Sequence, residues 1–181
     1  MKTFLALVLV IVVGFGIYYV VHTHSTTVVA PVKIIPATPH PDPSNATFQF
    51  EDGPVTLNNG SETSSIGAND ELQTETDLTD FVAYGDINND SKTDTAVLLE
   101  QTSSGTGVFY NVAAYVSGVV SYNGSNAIFL GDRIIPKTIT IKNGIITVTY
   151  LDRTSSEAMT DDPTLLVTKT FVYTDGELVE K

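Results

Sequence analysis

The chain has 181 residues, a formal net charge of −12 and no cysteine, and its three histidines (His22, His24 and His40) all precede residue 47. These counts exclude a disulfide framework, a thiolate metal site, a cysteine nucleophile and a lipidated cysteine, and they leave residues 47–181 without a histidine for a Ser–His–Asp triad or a zinc site. Residues 47–181 hold 7 Lys and Arg against 20 Asp and Glu, a balance that repels phosphate backbones and so argues against a nucleic-acid partner, while suiting hard cations.

In chain order, Lys2 precedes Phe4–Val21, an unbroken run of 18 residues that are apolar, Gly or Tyr. As a helix this run would rise roughly 27 Å, close to the hydrocarbon thickness of a bilayer. The expectation is one N-terminal transmembrane helix. Residues 1–21 then act as a signal anchor, with membrane contact through residues 4–21, Lys2 inside and the remainder extracytoplasmic at the cell membrane. The alternative is a signal peptide and a secreted product. Val28-Val29-Ala30 would be its cleavage site, although Pro31 fits that role poorly. Residues 22–46 carry Pro31, Pro36, Pro39, Pro41 and Pro43, a density that opposes helix and interior strand and favours an extended linker reaching up to roughly 75 Å. His22 and His24 in this linker fall short of the three or four fixed ligands that zinc takes.

Residues 47–181 predict an extracytoplasmic β domain. No stretch keeps a helical period for three turns, whereas β-branched and alternating runs recur between turn dipeptides. "TFQF" and "VTL" are short strands, and "SETSSIGANDELQTETD" reads as a polar loop. "FVAYGDI", "TDTAVLLEQ", "GVFYNVAAYVSG" and "NAIFLGDRI" are longer strands. In "TITIKNGIITVTY", Asn143-Gly144 suits a two-residue type I′ turn. That turn opposes Lys142 to Ile145, Ile141 to Ile146 and Ile139 to Val148, and it sets Ile139, Ile141, Ile146, Val148 and Tyr150 on one face. Asp175-Gly176 repeats the device between "LLVTKTFVYT" and "ELVE". The fold class expected is mostly β: an antiparallel meander forming a small sandwich or open barrel.

"GDINNDSKTD", residues 85–94, concentrates the chemistry. Asp86, Asn88 and Asp90 alternate, Asp94 follows, and Lys92 offers a main-chain carbonyl. Together they form an oxygen-rich set of the kind calcium takes at about 2.3–2.6 Å. A polar turn is the competing reading, because Asn and Asp bond their own backbone and tolerate left-handed conformations. The spacing resembles the calcium loops of FG-GAP and dockerin-type repeats, with DxDxDGxxD written here as Asp86-x-Asn88-x-Asp90-Ser91-x-x-Asp94. The resemblance implies Ca2+ ligation by the side chains of Asp86, Asn88, Asp90 and Asp94 and by the main chain of Lys92. Two departures stand out. Ser91 replaces the glycine of the sharp turn, and Val97 stands where a helix–loop–helix site has its bidentate glutamate.

From about residue 48 to 174 the succession "VTLNNG", "VAYGDINNDSKTDTAVLL", "GTGVFYNVAAYV", "FLGDRI", "ITVTYLDR" and "AMTDDPT…VTKTF" resembles a family of secreted or membrane-attached bacterial domains of uncharacterised function. That resemblance implies no activity and no catalytic residues. Asp132-Arg133 and Asp152-Arg153 suggest turn-edge ion pairs or an anion pocket. Tyr110, Tyr115, Tyr122 and Tyr150 would make a sugar platform if they shared an exposed face. The expected function is a non-enzymatic, membrane-tethered domain with a binding, adhesion or envelope-accessory role and a protein or glycan ligand, with calcium as its stabilising ion. The alternative is a carbohydrate-binding module or a carboxylate-dependent glycoside hydrolase.

Overall fold

The computed structural model describes residues 40–66 and 72–181. The helix expected over residues 4–21 and the linker up to residue 39 lie outside the described residues. No helix among the described residues is long and apolar enough to cross a membrane. The described residues belong to one compact unit.

Its strands are β1 (Thr47–Phe50), β2 (Gly53–Thr56), β3 (Ser61–Ile66), β4 (Leu72–Gly85), β5 (Asp94–Ser103), β6 (Val108–Ser117), β7 (Tyr122–Gly124), β8 (Ile128–Asp132), β9 (Ile135–Lys142), β10 (Ile145–Asp152), β11 (Leu165–Thr174) and β12 (Glu177–Glu180). Among the described residues the pairings between these strands are antiparallel, and one isolated parallel bridge joins Gln49 of β1 to Asn126. β1 and β2 form a separate ribbon, and β9 to β12 form a four-stranded meander. β3 to β7 follow one another in a larger sheet, with β7 and β8 sharing the free edge of β6. The mostly β, antiparallel expectation therefore holds.

The Asn143-Gly144 hairpin has the expected register: Lys142 opposes Ile145, Ile141 opposes Ile146 and Ile139 opposes Val148. Both turn residues are left-handed, at φ 53° and 72°. Asp175-Gly176 repeats this at 53° and 90°. Asn59-Gly60, at 53° and 92°, turns the chain from β2 into β3 in the same way.

Where the sequence suggested a polar loop, β3 and the first half of β4 are paired strands, Ser61 opposite Asp77 through Ile66 opposite Leu72. Ser, Thr and Glu dominate this hairpin, so it shows no apolar alternation. Its pairing is fixed by its neighbours, because the same half of β4 also pairs with β5. A second difference concerns the boundary at residue 47. Pro43 and Ala46 are buried, the Gly60 N–H donates to Ser44 O, and Thr95 Oγ1 donates to Pro41 O. The last residues of the Pro-rich segment thus belong to the packed domain, and His40 stacks on Tyr84 with ring centroids 4.1 Å apart.

Packing is in three layers. Ala96 and Leu98 of β5 and Val112, Ala114 and Val116 of β6 meet Ile146, Val148 and Tyr150 of β10, Phe171 of β11 and Leu178 of β12 in one core. The opposite face of β5 and β6, through Val97, Leu99 and Ala113, packs on Ala46, Phe48 and Leu57 beside the β1–β2 ribbon. Asp94 to Leu99 are consequently all buried, and each large apolar side chain removed from water there contributes about 1.5–3 kcal/mol.

A bulge between Leu78 and Val82 interrupts β4. Thr79 Oγ1 replaces a ladder bond by donating to Leu98 O (2.9 Å), and it accepts the Phe81 N–H. The bend curls the sheet into a half-barrel and brings the end of β4 against β9. A Cβ on Gly85 would lie 2.8 Å from Ile141 Cγ2.

Gly85→Ala should therefore destabilise the domain by about 1–3 kcal/mol through overpacking. Ile141→Ala should relieve part of that loss in the double variant. Urea midpoints check this, and an unchanged midpoint for Gly85→Ala would mean that β4 does not close on β9.

Candidate metal loop

Residues 86–93 join β4 to β5, which are hydrogen-bonded neighbours up to the Gly85–Asp94 pair. The chain must reverse within this span, and it does so through two left-handed residues, Asn89 (φ 62°) and Ser91 (φ 67°). Side-chain acceptors near the backbone offset the cost of that conformation. Asp86 Oδ1 accepts the Asp90 N–H (3.1 Å) and Oδ2 accepts the Ser91 N–H (2.9 Å). Asn88 Oδ1 also accepts the Asp90 N–H, and Asp90 Oδ1 accepts the Lys92 N–H.

The loop is anchored to the end of β6. Asp94 is fully buried, its Oδ2 accepting the Ile87 N–H (2.7 Å) and its Oδ1 the Ser117 N–H (2.8 Å). Ser117 Oγ donates to Asp90 Oδ2 (2.7 Å), and Asn88 Nδ2 donates to Ser117 O (2.9 Å). Lys92 Nζ lies 3.4 Å from Asp90 Oδ2 and 3.3 Å from Gly118 O. The bond from Ser117, helped by the Lys92 N–H, holds the Asp90 carboxyl below its usual range against a smaller opposing effect of desolvation. A third element closes the loop from outside, since a Cβ on Gly144 would lie 3.2 Å from Ile87 O.

Four of the five residues singled out by the sequence thus surround Ser117 and Gly118: Asn88, Asp90, Lys92 and Asp94. Asp86 organises the loop backbone instead. Among the described residues no three carboxylate or imidazole side chains converge as a metal cluster. Asp94 is directed to two N–H groups, leaving Asp86 and Asp90 as the outer carboxylates. The donor set is all oxygen, which fits calcium chemically, and the accepting oxygens keep a second lone pair except Asp90 Oδ2, which both Ser117 Oγ and Lys92 Nζ approach. Ser117 is the residue that sequence reasoning missed. It ends an apolar strand 23 positions beyond Asp94, and nothing local marks it.

No family model, curated protein or solved structure matches the chain. The likeness of residues 86–94 to calcium loops therefore rests on their own spacing and conformation.

The other constellations resolve differently. Arg133 pairs in two places with its own neighbour Asp132, both contacts at 3.1 Å, and the Asp132 carboxyl is held low chiefly by that bond. Arg153 donates to the backbone oxygens of Asp161 and Arg133. Each guanidinium is spent on a turn, so neither lines an anion pocket. Tyr150 is buried and donates to Leu130 O, and burial pushes its phenol up to about 12. Tyr122 donates to Thr93 O. The four tyrosines do not share one exposed face.

One further polar group stands apart. Asn111 is 5% exposed in the middle of β6, and among the described residues its Nδ2 has no hydrogen-bond partner. Such a group costs about 1–3 kcal/mol.

Removing both acceptors with Asp94→Ala should cost about 2–5 kcal/mol, because two buried N–H groups lose their partner. Asp94→Asn keeps one amide oxygen and should cost clearly less. Denaturant titration of both variants checks the difference, and equal losses would contradict the two-acceptor role.

Proposed function

We propose that the chain is a non-enzymatic, membrane-tethered extracytoplasmic β domain whose 86–94 loop takes up calcium as a clip between strands. Asp86, Asn88 and Asp90 supply side-chain oxygens and Lys92 its carbonyl, while Asp94, expected as a fourth side-chain ligand, anchors the loop beneath them through the Ile87 and Ser117 N–H groups. The membrane assignment rests on the sequence of residues 4–21, and a binding or envelope-accessory role follows from a head carried on a stalk. The observation that carries the calcium reading is Ser91. It takes the left-handed conformation (φ 67°) at the position where the resembling loops use glycine. Non-glycine residues pay for that conformation, so the loop keeps its winding at a cost. Lacking a bidentate glutamate, the loop should bind weakly, with a Kd of about 10⁻⁴–10⁻³ M.

A second reading is favoured by Lys92. Its ammonium already sits beside Asp90 Oδ2 and Gly118 O and can serve as an internal cation, leaving a metal-free clip.

Thermal melts separate the two. At ten times Kd, calcium should add about 1.4 kcal/mol relative to chelator, a rise in Tm of roughly 4–6 °C. Asp90→Ala should abolish the shift. A Tm that is identical in chelator and in about 10 mM calcium would leave only the Lys92 clip.

A further inference from the structure

The β1–β2 ribbon covers only part of the outer face of the larger sheet. Beyond it opens a groove of about 520 Å³, within the size range of small-ligand sites. Its floor follows from strand register. Thr76 opposes Gln101, Gln101 opposes Phe109, and Asn111 opposes Phe129. These residues lie on the sheet face that carries Val97, Leu99 and Ala113 under the ribbon, so the groove continues a core face that has lost its cover.

Three features of the groove point the same way. Asn111, nine-tenths buried on the floor, has an amide nitrogen without an acceptor, in contrast to Gln101, whose Nε2 donates to Thr76 Oγ1 (3.1 Å). Phe109 and Phe129 pair with centroids 6.1 Å apart and planes inclined at 57°, and Phe129 is 54% exposed. The two rings form a wedge rather than a flat platform, and a free aromatic face attracts cations. Finally, Glu51, Asp52 and Glu62 line the groove together with Phe50, and no Lys or Arg does. Such a wall repels anions and draws organic cations.

We infer that this groove binds a basic peptide segment. An Arg or Lys side chain lies over Phe129 among the three carboxylates, and a rotation of the Asn111 side chain, whose Nδ2 is closed to solvent as it stands, brings that nitrogen to a peptide carbonyl of the same segment. A neutral sugar would use the amide, but it would leave the one-signed charge without a purpose, and the inclined rings do not offer it a flat stacking surface. The inference stands on the groove alone and is independent of metal at residues 86–94.

The test follows the side-chain NH2 resonances of Asn111 in the ¹⁵N-labelled full chain, in chelator. The probes are N-acetyl-arginine N-methylamide, its lysine counterpart, and methyl glucoside as the neutral sugar. The cationic probes should shift Asn111 saturably, and their affinity should fall several-fold between about 0.05 and 0.5 M salt as screening grows. Glu62→Gln and Phe129→Ala should each weaken binding by roughly 3–10-fold. Glu62→Gln keeps the size of a half-buried side chain on β3 and removes only its charge, so it keeps the test decisive if Phe129→Ala fails to fold. An Asn111 signal unmoved by the cations, one moved by the glucoside alone, or affinity indifferent to Glu62→Gln would each overturn the inference.

Discussion

Asp94 has no exposure to solvent, and its two oxygens accept the N–H groups of Ile87 and Ser117. The first lies at the start of the β4–β5 loop and the second at the end of β6, so one side chain joins the loop to a strand paired on both sides. A buried carboxylate is tolerable only when such donors compensate its lost hydration. The rest of the loop then has a fixed floor on which Asn88, Asp90 and Lys92 can meet Ser117 and Gly118. Whatever cation the loop uses, its geometry is inherited from this carboxylate.

The same strand determines the layering. β5 leaves the loop at Asp94 and is buried on both faces. Ala96 and Leu98 serve the core against the four-stranded sheet, while Val97 and Leu99 serve the smaller core under the ribbon. A short ribbon can cover only part of a sheet face, and the uncovered part becomes the groove floored by Gln101, Phe109 and Asn111. Clip and groove therefore lie at opposite ends of the same two strands, β5 and β6.

Much of this was legible where a local rule applies. Asn143-Gly144 with alternating Ile and Val dictates one register, and the hairpin adopts it. "TAVLL" reads as strand because it is buried on two sides. The β3–β4 hairpin was not legible, since Ser, Thr and Glu on both faces leave no alternation to read. The attachment of residues 40–46 was hidden because proline density signals extension, and extension does not exclude packing. In the loop, spacing indicated which residues matter but not their partners. Ser117 reaches them only through sheet register, and Asp94, expected as a metal ligand, faces two backbone N–H groups. Asn111 was invisible because an amide within "VFYNVAAYV" looks like any other alternation.

The central claim, that Asp94 clamps the loop to β6 as part of the cooperative core, is tested most directly by native-state hydrogen exchange at the Ile87 and Ser117 amides. If the clamp opens only with the domain, both should exchange with the free energy of core amides such as Val97 and Leu99. Exchange of Ile87 and Ser117 through a low-energy local opening, at rates close to that of the exposed Asn89, would contradict the account.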